Sequence, residues 1–183
     1  MEKSNVYPLE GVYNMYNTLA AILFSGKIGI EKEDAQKALK KFTPAFGRQE
    51  EIEVDNKKVK FFLSKNPTSF NESLKTIANL GAKYLLIVLN DRIPDGRDVS
   101  WIWDVDFEIF INSEIKLFTA GDRAYDMALR IKYTDLKSVI FEDLNEAINK
   151  SLVAVPNGET LYILPTYSAM LETRKILTGK KIL

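Results

Sequence analysis

The sequence contains neither cysteine nor histidine in its 183 residues. The absence of cysteine excludes disulfides, thiolate–zinc sites and a cysteine nucleophile, and the absence of histidine removes the commonest general base near neutral pH. Carboxylates, lysine, arginine, tyrosine and hydroxyl groups remain. Any chemistry at this chain must use those groups or be completed by another polypeptide.

The sequence also lacks a net charge, because 25 Lys and Arg residues balance 25 Asp and Glu residues. Without a basic field to attract phosphate backbones, we do not expect nucleic acid as a partner. No apolar run approaches the roughly 20 residues that span a bilayer, and the first residues lack the apolar core of a signal peptide. We therefore expect a cytoplasmic protein that is not transmembrane.

Two helices are predicted at the start of the chain, at about residues 12–25 and 32–42, and they are expected to form a small unit of their own. Their inner faces should carry apolar residues at helical spacing. These are Tyr13, Tyr16, Leu19 and Leu23 in the first helix and Ala35, Leu39 and Phe42 in the second.

The rest of the chain alternates between strands and helices. Strands are predicted at 51–54, 59–63, 84–89, 115–119, 138–141 and 161–164, and helices at 67–80, 122–132, 144–153 and 168–177. Because each crossover helix must pack back onto the sheet, this alternation indicates a mainly parallel sheet covered on both faces. The expected fold is therefore three-layer α/β, preceded by the helical pair.

The stretch 89–108 follows the most apolar run of the sequence and holds five aspartates, two arginines and both tryptophans. In open α/β sheets, ligands and catalytic groups collect outside the carboxyl ends of the strands. The plainer alternative is a surface turn, in which Asp95 and Asp98 shape the backbone and Arg97 is solvated. Large rings beside several carboxylates favour a functional site, in which a carboxylate could orient a histidine supplied by a partner.

Four other polar stretches could take part in binding. Asn14 and Asn17 share a helix face and could contact a purine, although helix capping and solvation explain them as well. Arg48 and Lys65 lie near strand ends where a cation can hold a phosphate, but no P-loop sequence is present. Hydroxyl groups follow the last strand, at Thr166, Tyr167 and Ser168.

Taken together, the segments 11–21, 47–50, 64–67, 90–108, 121–130 and 165–171 resemble the carboxy-terminal portion of MurT, the Mur-ligase-like subunit of lipid II isoglutaminyl synthase. The run Asp-Gly-Arg-Asp-Val-Ser-Trp-Ile-Trp-Asp at 95–104 is the most specific of them. The resemblance implies a Rossmann-like sheet of the Mur ligase C-terminal type over residues 48–183. Residues 1–47 would be a helical segment from the end of the Mur ligase central domain.

The resemblance implies a two-subunit amidotransferase of peptidoglycan synthesis. A glutaminase subunit, GatD, would release ammonia from glutamine with a Cys and a His, and ATP with Mg would activate the D-glutamate of lipid II for conversion to D-isoglutamine. The carboxy-terminal domain would dock GatD and supply an aspartate that orients the partner's imidazole. Asp95 is the first candidate, with Asp98 and Asp104 in reserve.

The remaining roles carried over by the resemblance concern nucleotide and substrate. Asn14 and Asn17 would approach adenine, Arg48 and Lys65 would lie near the nucleotide or its phosphates, and the hydroxyls at 166–168 would face the substrate. Many Mur ligases place an acidic residue just before Ser-Lys, but Leu63 stands there, so that ribose or metal role does not transfer. No metal ligands are assigned.

The ATP-binding domain and the four-cysteine zinc ribbon of the family are both missing. The chain is thus expected to be part of a longer enzyme or a split product, to bind no cofactor stably, and to lack ligase activity alone. Contact with lipid II would bring the full enzyme to the inner face of the membrane. An alternative is a nucleotide- or peptide-binding module without a triad role, which would use Arg48, Lys65 and the 165–168 loop.

Overall fold

The computed structural model describes residues 7–44 and 47–179. Its helices and strands agree with the predicted ones to within a few residues, and the three-layer α/β fold is confirmed. The elements in chain order are α1 (Val12–Lys27), α2 (Lys32–Lys40), β1 (Arg48–Val54), β2 (Lys57–Phe62), α3 (Pro67–Asn79), β3 (Tyr84–Val88), 3₁₀ turns at Ser100–Asp104 and Phe107–Phe110, β4 (Lys116–Ala120), α4 (Ala124–Lys132), β5 (Ser138–Ile140), α5 (Leu144–Ala154), β6 (Thr160–Pro165) and α6 (Tyr167–Thr178).

The six strands form one sheet in the order β1-β2-β6-β3-β4-β5. The β1–β2 pair is an antiparallel hairpin, and the other neighbouring pairs are parallel. Asp55 and Asn56 make the hairpin turn with positive φ angles of 49° and 60°, which suits these residue types. The strand that comes last in the chain, β6, lies between β2 and β3.

Helices cover both faces of the sheet. One apolar core joins the sheet to α3, α4 and the loop after β3, and it includes Phe70, Leu74, Ile102, Phe107 and Met127. A second core joins the other face to α5 and α6. All five residues of β3 are buried, as expected of a central parallel strand that is covered on both sides.

The two central strands send the chain to opposite faces of the sheet. The loop after β3 packs with the first core, whereas α6, which follows β6, packs with the second. A crevice opens where neighbouring parallel strands diverge in this way, and ligand sites of α/β folds gather there. The carboxyl ends of β3 and β6 therefore border the crevice in which a ligand site is expected.

The predicted inner face of α1 is wrong. Tyr16 and Leu23 are 65% and 73% exposed, while Asn14 and Thr18 are buried. On α2 no residue is buried, and Phe42 beyond its end is 51% exposed. Periodicity finds the apolar stripe of a helix but not which face the rest of the fold covers, and here the polar side of α1 lies inward.

Candidate functional site

The candidate site lies at the carboxyl ends of β2, β6 and β3, where the structure brings together most of the residues singled out from the sequence. Lys65 follows β2, the 166–168 segment follows β6, and Asp95 is in the loop after β3. Arg48 pairs with Phe62 across the hairpin, which places it at the same edge. Asn14 and Asn17 belong to α1 instead.

Asp95 makes a long-range contact with the start of α6. Its Oδ1 accepts a hydrogen bond from the backbone N–H of Ser168 at 2.8 Å, and its Oδ2 accepts one from the Ser168 hydroxyl at 2.5 Å. The carboxylate therefore caps α6 through a residue that lies 73 positions later in the chain. The backbone N–H groups at a helix N-terminus have no intrahelical partners, so this contact satisfies one of them from outside the helix.

The side chain of Thr166 does not cap α6. Although Thr166 is the residue before the first turn of α6, its side chain makes no cap hydrogen bond to the helix. Its hydroxyl instead accepts the backbone N–H of Asn90 at 3.0 Å, which ties β6 to the end of β3. The hydroxyls of Thr166 and Ser168 are thus engaged within the protein, and Tyr167 is exposed between them.

Asn90 is the polar residue at which the buried strand becomes the loop, and it is 2% exposed. Its Oδ1 accepts the backbone N–H of Asp122 at 3.0 Å, and its Nδ2 donates to the Ser168 hydroxyl at 3.0 Å. Gly121 passes close by, with φ of +96°, and an added Cβ would lie 2.6 Å from both Asn90 Oδ1 and the Leu89 carbonyl oxygen. The side chain of Asn90 is therefore held from both sides.

Arg92 fastens the loop to α6 at a second point. Its guanidinium donates to Glu172, on the next turn of α6 after Ser168, and also to Asp122 at 2.8 Å. These carboxylates raise the pKa of Arg92. The backbone carbonyl of Arg92 also accepts the N–H of Asp95 at 2.9 Å, so the turn that carries the carboxylate is fixed as well. Asp122 lies just before α4, but its carboxylate binds Arg92 and does not cap the helix.

The two reserve aspartates are placed differently. Asp98 is exposed and accepts the backbone N–H of Ser100 at 2.8 Å. The hydroxyl and the N–H of Ser100 hold the pKa of Asp98 below its usual range. Asp98 also borders a cleft of about 290 Å³ with Trp103 and Arg123. Asp104 is exposed, and its backbone carbonyl accepts the side-chain amide of Asn71 at 3.1 Å.

The two tryptophans do not share one environment. Trp101 packs against Phe70 with ring centroids 5.5 Å apart and anchors the loop on the core. Trp103 is 48% exposed and meets the ring of Tyr133 edge-on at 5.2 Å. Trp101 therefore anchors the loop, whereas Trp103 contributes to the surface.

Arg130 is a structural residue of the loop that the sequence did not single out. It is 6% exposed, its Nη2 donates to the carbonyl oxygen of Val105 at 2.5 Å, and it pairs with Glu108 at 2.9 Å. Its guanidinium also lies 5.7 Å from the ring centroid of Phe107. Helix α4 thereby fixes the distal half of the loop through one buried cation.

The residues expected near a nucleotide are only partly available to one. The Asn14 amide is buried and donates to the carbonyl oxygen of Glu10 at 2.7 Å, whereas Asn17 is exposed. Arg48 and Lys65 are both exposed. Beside Arg48, the Gln49 side chain is 3% exposed and binds both the N–H and the carbonyl oxygen of Glu10, which anchors the segment before α1 to β1.

Within residues 7–44 and 47–179, no group of three or more carboxylates lies close enough together to hold a metal ion. In the same ranges, none of the helices is both long and apolar enough to cross a membrane.

The features that distinguish this edge of the sheet are one oriented carboxylate, the neighbouring cations and an exposed loop. In that loop Ile93, two residues from Asp95, is 84% exposed.

Comparisons with known proteins identify the family. The family model described as MurT ligase C-terminal matches residues 63–170. The MurT subunit of lipid II isoglutaminyl synthase (glutamine-hydrolyzing) from Streptococcus pneumoniae is 33% identical over 94% of this chain and 39% of its own length. The corresponding Staphylococcus aureus subunit is 32% identical over 84% of this chain and 37% of its own length.

Solved structures support the same fold. MurF from Acinetobacter baumannii superposes with a TM-score of 0.71 and 22% sequence identity, covering 94% of this chain and 39% of that one. This likeness shows the shared fold, and the chain spans about two fifths of the length of the relatives it matches. Because the family model covers more than half of the sequence, the chain belongs to the MurT ligase C-terminal family.

Proposed function

We propose that this chain is the carboxy-terminal part of the MurT subunit of a lipid II isoglutaminyl synthase. With the glutaminase subunit GatD, the complete enzyme would use ATP and glutamine to amidate the D-glutamate of lipid II to D-isoglutamine in peptidoglycan synthesis. The family match and the similarity to two MurT subunits support this proposal. Work on lipid II would place the enzyme in the cytoplasm at the inner face of the membrane.

The task proposed for this domain is to dock GatD and to supply Asp95 to the partner's Cys–His pair. The observation that carries this proposal is the geometry of Asp95, whose carboxylate is fixed by both donors of Ser168 in a loop that is otherwise exposed. A carboxylate orients an imidazole and stabilises its protonated form only if the carboxylate is itself held in place. The chain has no histidine, so the imidazole must come from the partner.

The exposed surroundings of Asp95 favour a protein partner. Ile93 is a large apolar side chain that is 84% exposed. Its burial under another protein surface would stabilise the complex through the hydrophobic effect. Trp103, in the same loop, is half-exposed. A bound GatD would bury such side chains while it brings its histidine towards Asp95.

The nucleotide side of the proposal concerns the longer enzyme. ATP and Mg would be bound mainly by the part of the enzyme that this chain does not cover, and Arg48 and Lys65 could approach the phosphates because both are exposed. Asn17 remains available to a base, whereas Asn14 is occupied by Glu10. Residues 1–47 would belong to the central domain, in agreement with the exposed apolar side of α1.

The experiment that tests this function is reconstitution of the chain with purified GatD. We expect the chain to bind GatD and stimulate glutamine hydrolysis, and we expect Asp95→Asn to lower hydrolysis roughly 10³–10⁴-fold without loss of binding. Asparagine caps a helix about as well as aspartate, so the fold should survive. Asp135→Asn is the matched control, since Asp135 has a φ of 59° that asparagine tolerates and lies in the turn between α4 and β5.

Two results would count against the proposal. If Asp95→Asn and Asp98→Asn both leave hydrolysis unchanged, neither aspartate serves a triad. If the isolated chain amidates lipid II with ATP, the proposal that ATP is bound mainly by the rest of the enzyme is wrong. Substitution of Asp98 or Asp104 alone shows whether a reserve aspartate takes the role.

A nucleotide- or peptide-binding module without a triad role is the second candidate. The exposed cations Arg48 and Lys65 at one edge of the sheet favour it. In that case the chain would bind ATP or a stem peptide without GatD, and Arg48→Ala with Lys65→Ala would abolish that binding. Isothermal titration with each ligand separates the two candidates.

A further inference from the structure

We propose that Ser168 is a positioning residue for glutamine hydrolysis, in that it orients Asp95 towards the partner's imidazole instead of binding substrate. This inference rests on the proposed function, because it assigns to Ser168 a role in the triad that Asp95 would complete. The sequence placed Ser168 among substrate-binding hydroxyls. In the structure its hydroxyl is buried and already bonded on both sides.

The direction of each hydrogen bond follows from the groups involved. The backbone N–H of Asp122 can only donate, so the atom it meets on Asn90 must be the carbonyl Oδ1. The Nδ2 of Asn90 must then donate to the Ser168 hydroxyl. That hydroxyl has a single proton, which is left for Asp95 Oδ2 at 2.5 Å. The chain of bonds thus runs one way, from the backbone N–H of Asp122 to Asp95.

Both oxygens of Asp95 are held by one residue. Ser168 donates its N–H to Oδ1 and its hydroxyl to Oδ2, so the plane of the carboxylate is fixed relative to α6. A carboxylate offers about four acceptor positions, and these bonds use two of them. The others remain for an imidazole N–H. A carboxylate held in this way loses little freedom when the partner binds.

The arrangement predicts a kinetic effect that is separate from folding. We expect Ser168→Ala, in the chain reconstituted with GatD, to lower kcat for glutamine hydrolysis roughly 10-fold, the effect of losing one charge-assisted hydrogen bond. KM for glutamine should not change. The alkaline limb of the pH–rate profile should move to lower pH, because a poorly oriented carboxylate stabilises the imidazolium less.

Conservative variants test the hydroxyl itself. Ser168→Thr keeps the donor and should restore most of kcat and the original pH profile. Ser73→Ala is the matched control, because Ser73 is also buried and its hydroxyl bonds Ser64 at 3.0 Å, on α3 and outside this network. Ser73→Ala should show the same kcat and the same pH–rate profile as the parent chain.

A second variant keeps the test valid if Ser168→Ala does not fold. Asn90→Asp is nearly isosteric, but it replaces the Nδ2 donor by an acceptor that would draw the Ser168 proton away from Asp95. It should lower kcat and shift the alkaline limb in the same sense as Ser168→Ala. A parent-like pH profile in either folded variant would overturn the positioning role.

The outcomes separate this inference from the proposed function. If Asp95→Asn is inactive while Ser168→Ala keeps the parent kcat and pH profile, the triad role stands and Ser168 does not position Asp95. If Ser168→Ala loses activity only in proportion to lost binding of GatD, its role is structural and the inference fails. If Asp95→Asn remains active, the proposed function fails, and this inference falls with it.

Discussion

The guanidinium of Arg130 lies against the carbonyl oxygen of Val105, with Nη2 at 2.5 Å, beneath the loop that follows β3. The backbone N–H of Phe107 donates to the same carbonyl oxygen at 3.1 Å, and Val105 is fully buried. Because Arg130 also pairs with Glu108, this one buried cation ties two residues of the distal half of the loop to α4 through charge-assisted hydrogen bonds.

Replacement of Arg130 should therefore destabilise the fold. We expect Arg130→Met to lower the free energy of unfolding by about 1–3 kcal/mol, because it removes the charge-assisted hydrogen bonds to the Val105 carbonyl and to Glu108. Lys132→Met, at an exposed position of the same helix, should change it by no more than about 0.5 kcal/mol. Urea denaturation followed by circular dichroism measures both. Equal stabilities would show that the cation is not needed.

Gly121 should tolerate no side chain. Gly121→Ala combines a φ of +96° with a Cβ 2.6 Å from Asn90 Oδ1, so we expect a loss of about 2–4 kcal/mol in the free energy of unfolding. Gly158→Ala is the control, with a similar φ of +81° and no atom within 4 Å of the new Cβ. It should cost only about 1–2 kcal/mol. A similar loss of unfolding free energy in both variants would mean that the structure accommodates the new Cβ beside Asn90 without a measurable penalty.

Phe70 should account for much of the loop's packing. It is 1% exposed, and its ring lies 5.5 Å from that of Trp101 and 6.1 Å from that of Phe107. We expect Phe70→Ala to lower the free energy of unfolding by about 3–5 kcal/mol. Phe24→Ala removes a ring that is 66% exposed and should change it by no more than about 0.5 kcal/mol. Thermal and urea unfolding of the two variants give the comparison, and a mild effect at Phe70 would contradict the packing of the loop.

Asp98 should titrate below its usual range. Because Ser100 lowers the pKa of Asp98 from the ordinary 3.8, the carboxylate contributes stability above pH 3.8 that is lost as pH falls through its lower folded value. Ser100→Ala removes the hydroxyl and should raise the pKa of Asp98 back towards 3.8. Carbon-detected NMR titration of the carboxyl resonance measures this shift. Ser113→Ala, which removes a hydroxyl bonded to the Phe110 carbonyl, should leave Asp98 unchanged.

The sequence predicted the strands and helices well because burial and periodicity are local properties. The run Tyr84–Val88 is apolar throughout and proved buried throughout. The order of the strands is not local, and nothing in the sequence of β6 indicated its central place. The facing of α1 was mispredicted for a related reason, because Tyr16 and Leu23 form an apolar stripe that the described fold leaves uncovered.

At the site, the sequence pointed to the loop but not to the residues that hold Asp95. The loop was singled out by its place after a buried strand and Asp95 by the resemblance, whereas Ser168 lies 73 residues from Asp95 and no local pattern joins them. Asn90 could have been noticed as the polar residue directly after an apolar run. Arg130 could not, since a basic residue in the last turn of a helix usually serves the helix dipole.

The central position of the last strand has a consequence for biogenesis. Asp95 is synthesised well before β6 and α6, yet the donors that orient it come from Ser168, beyond the strand that fills the gap between β2 and β3. On the ribosome, the sheet stays divided until the final part of the described chain has emerged. The donors that orient the carboxylate are therefore synthesised last, so that a chain truncated before Ser168 would present the loop without the hydrogen bonds that hold Asp95.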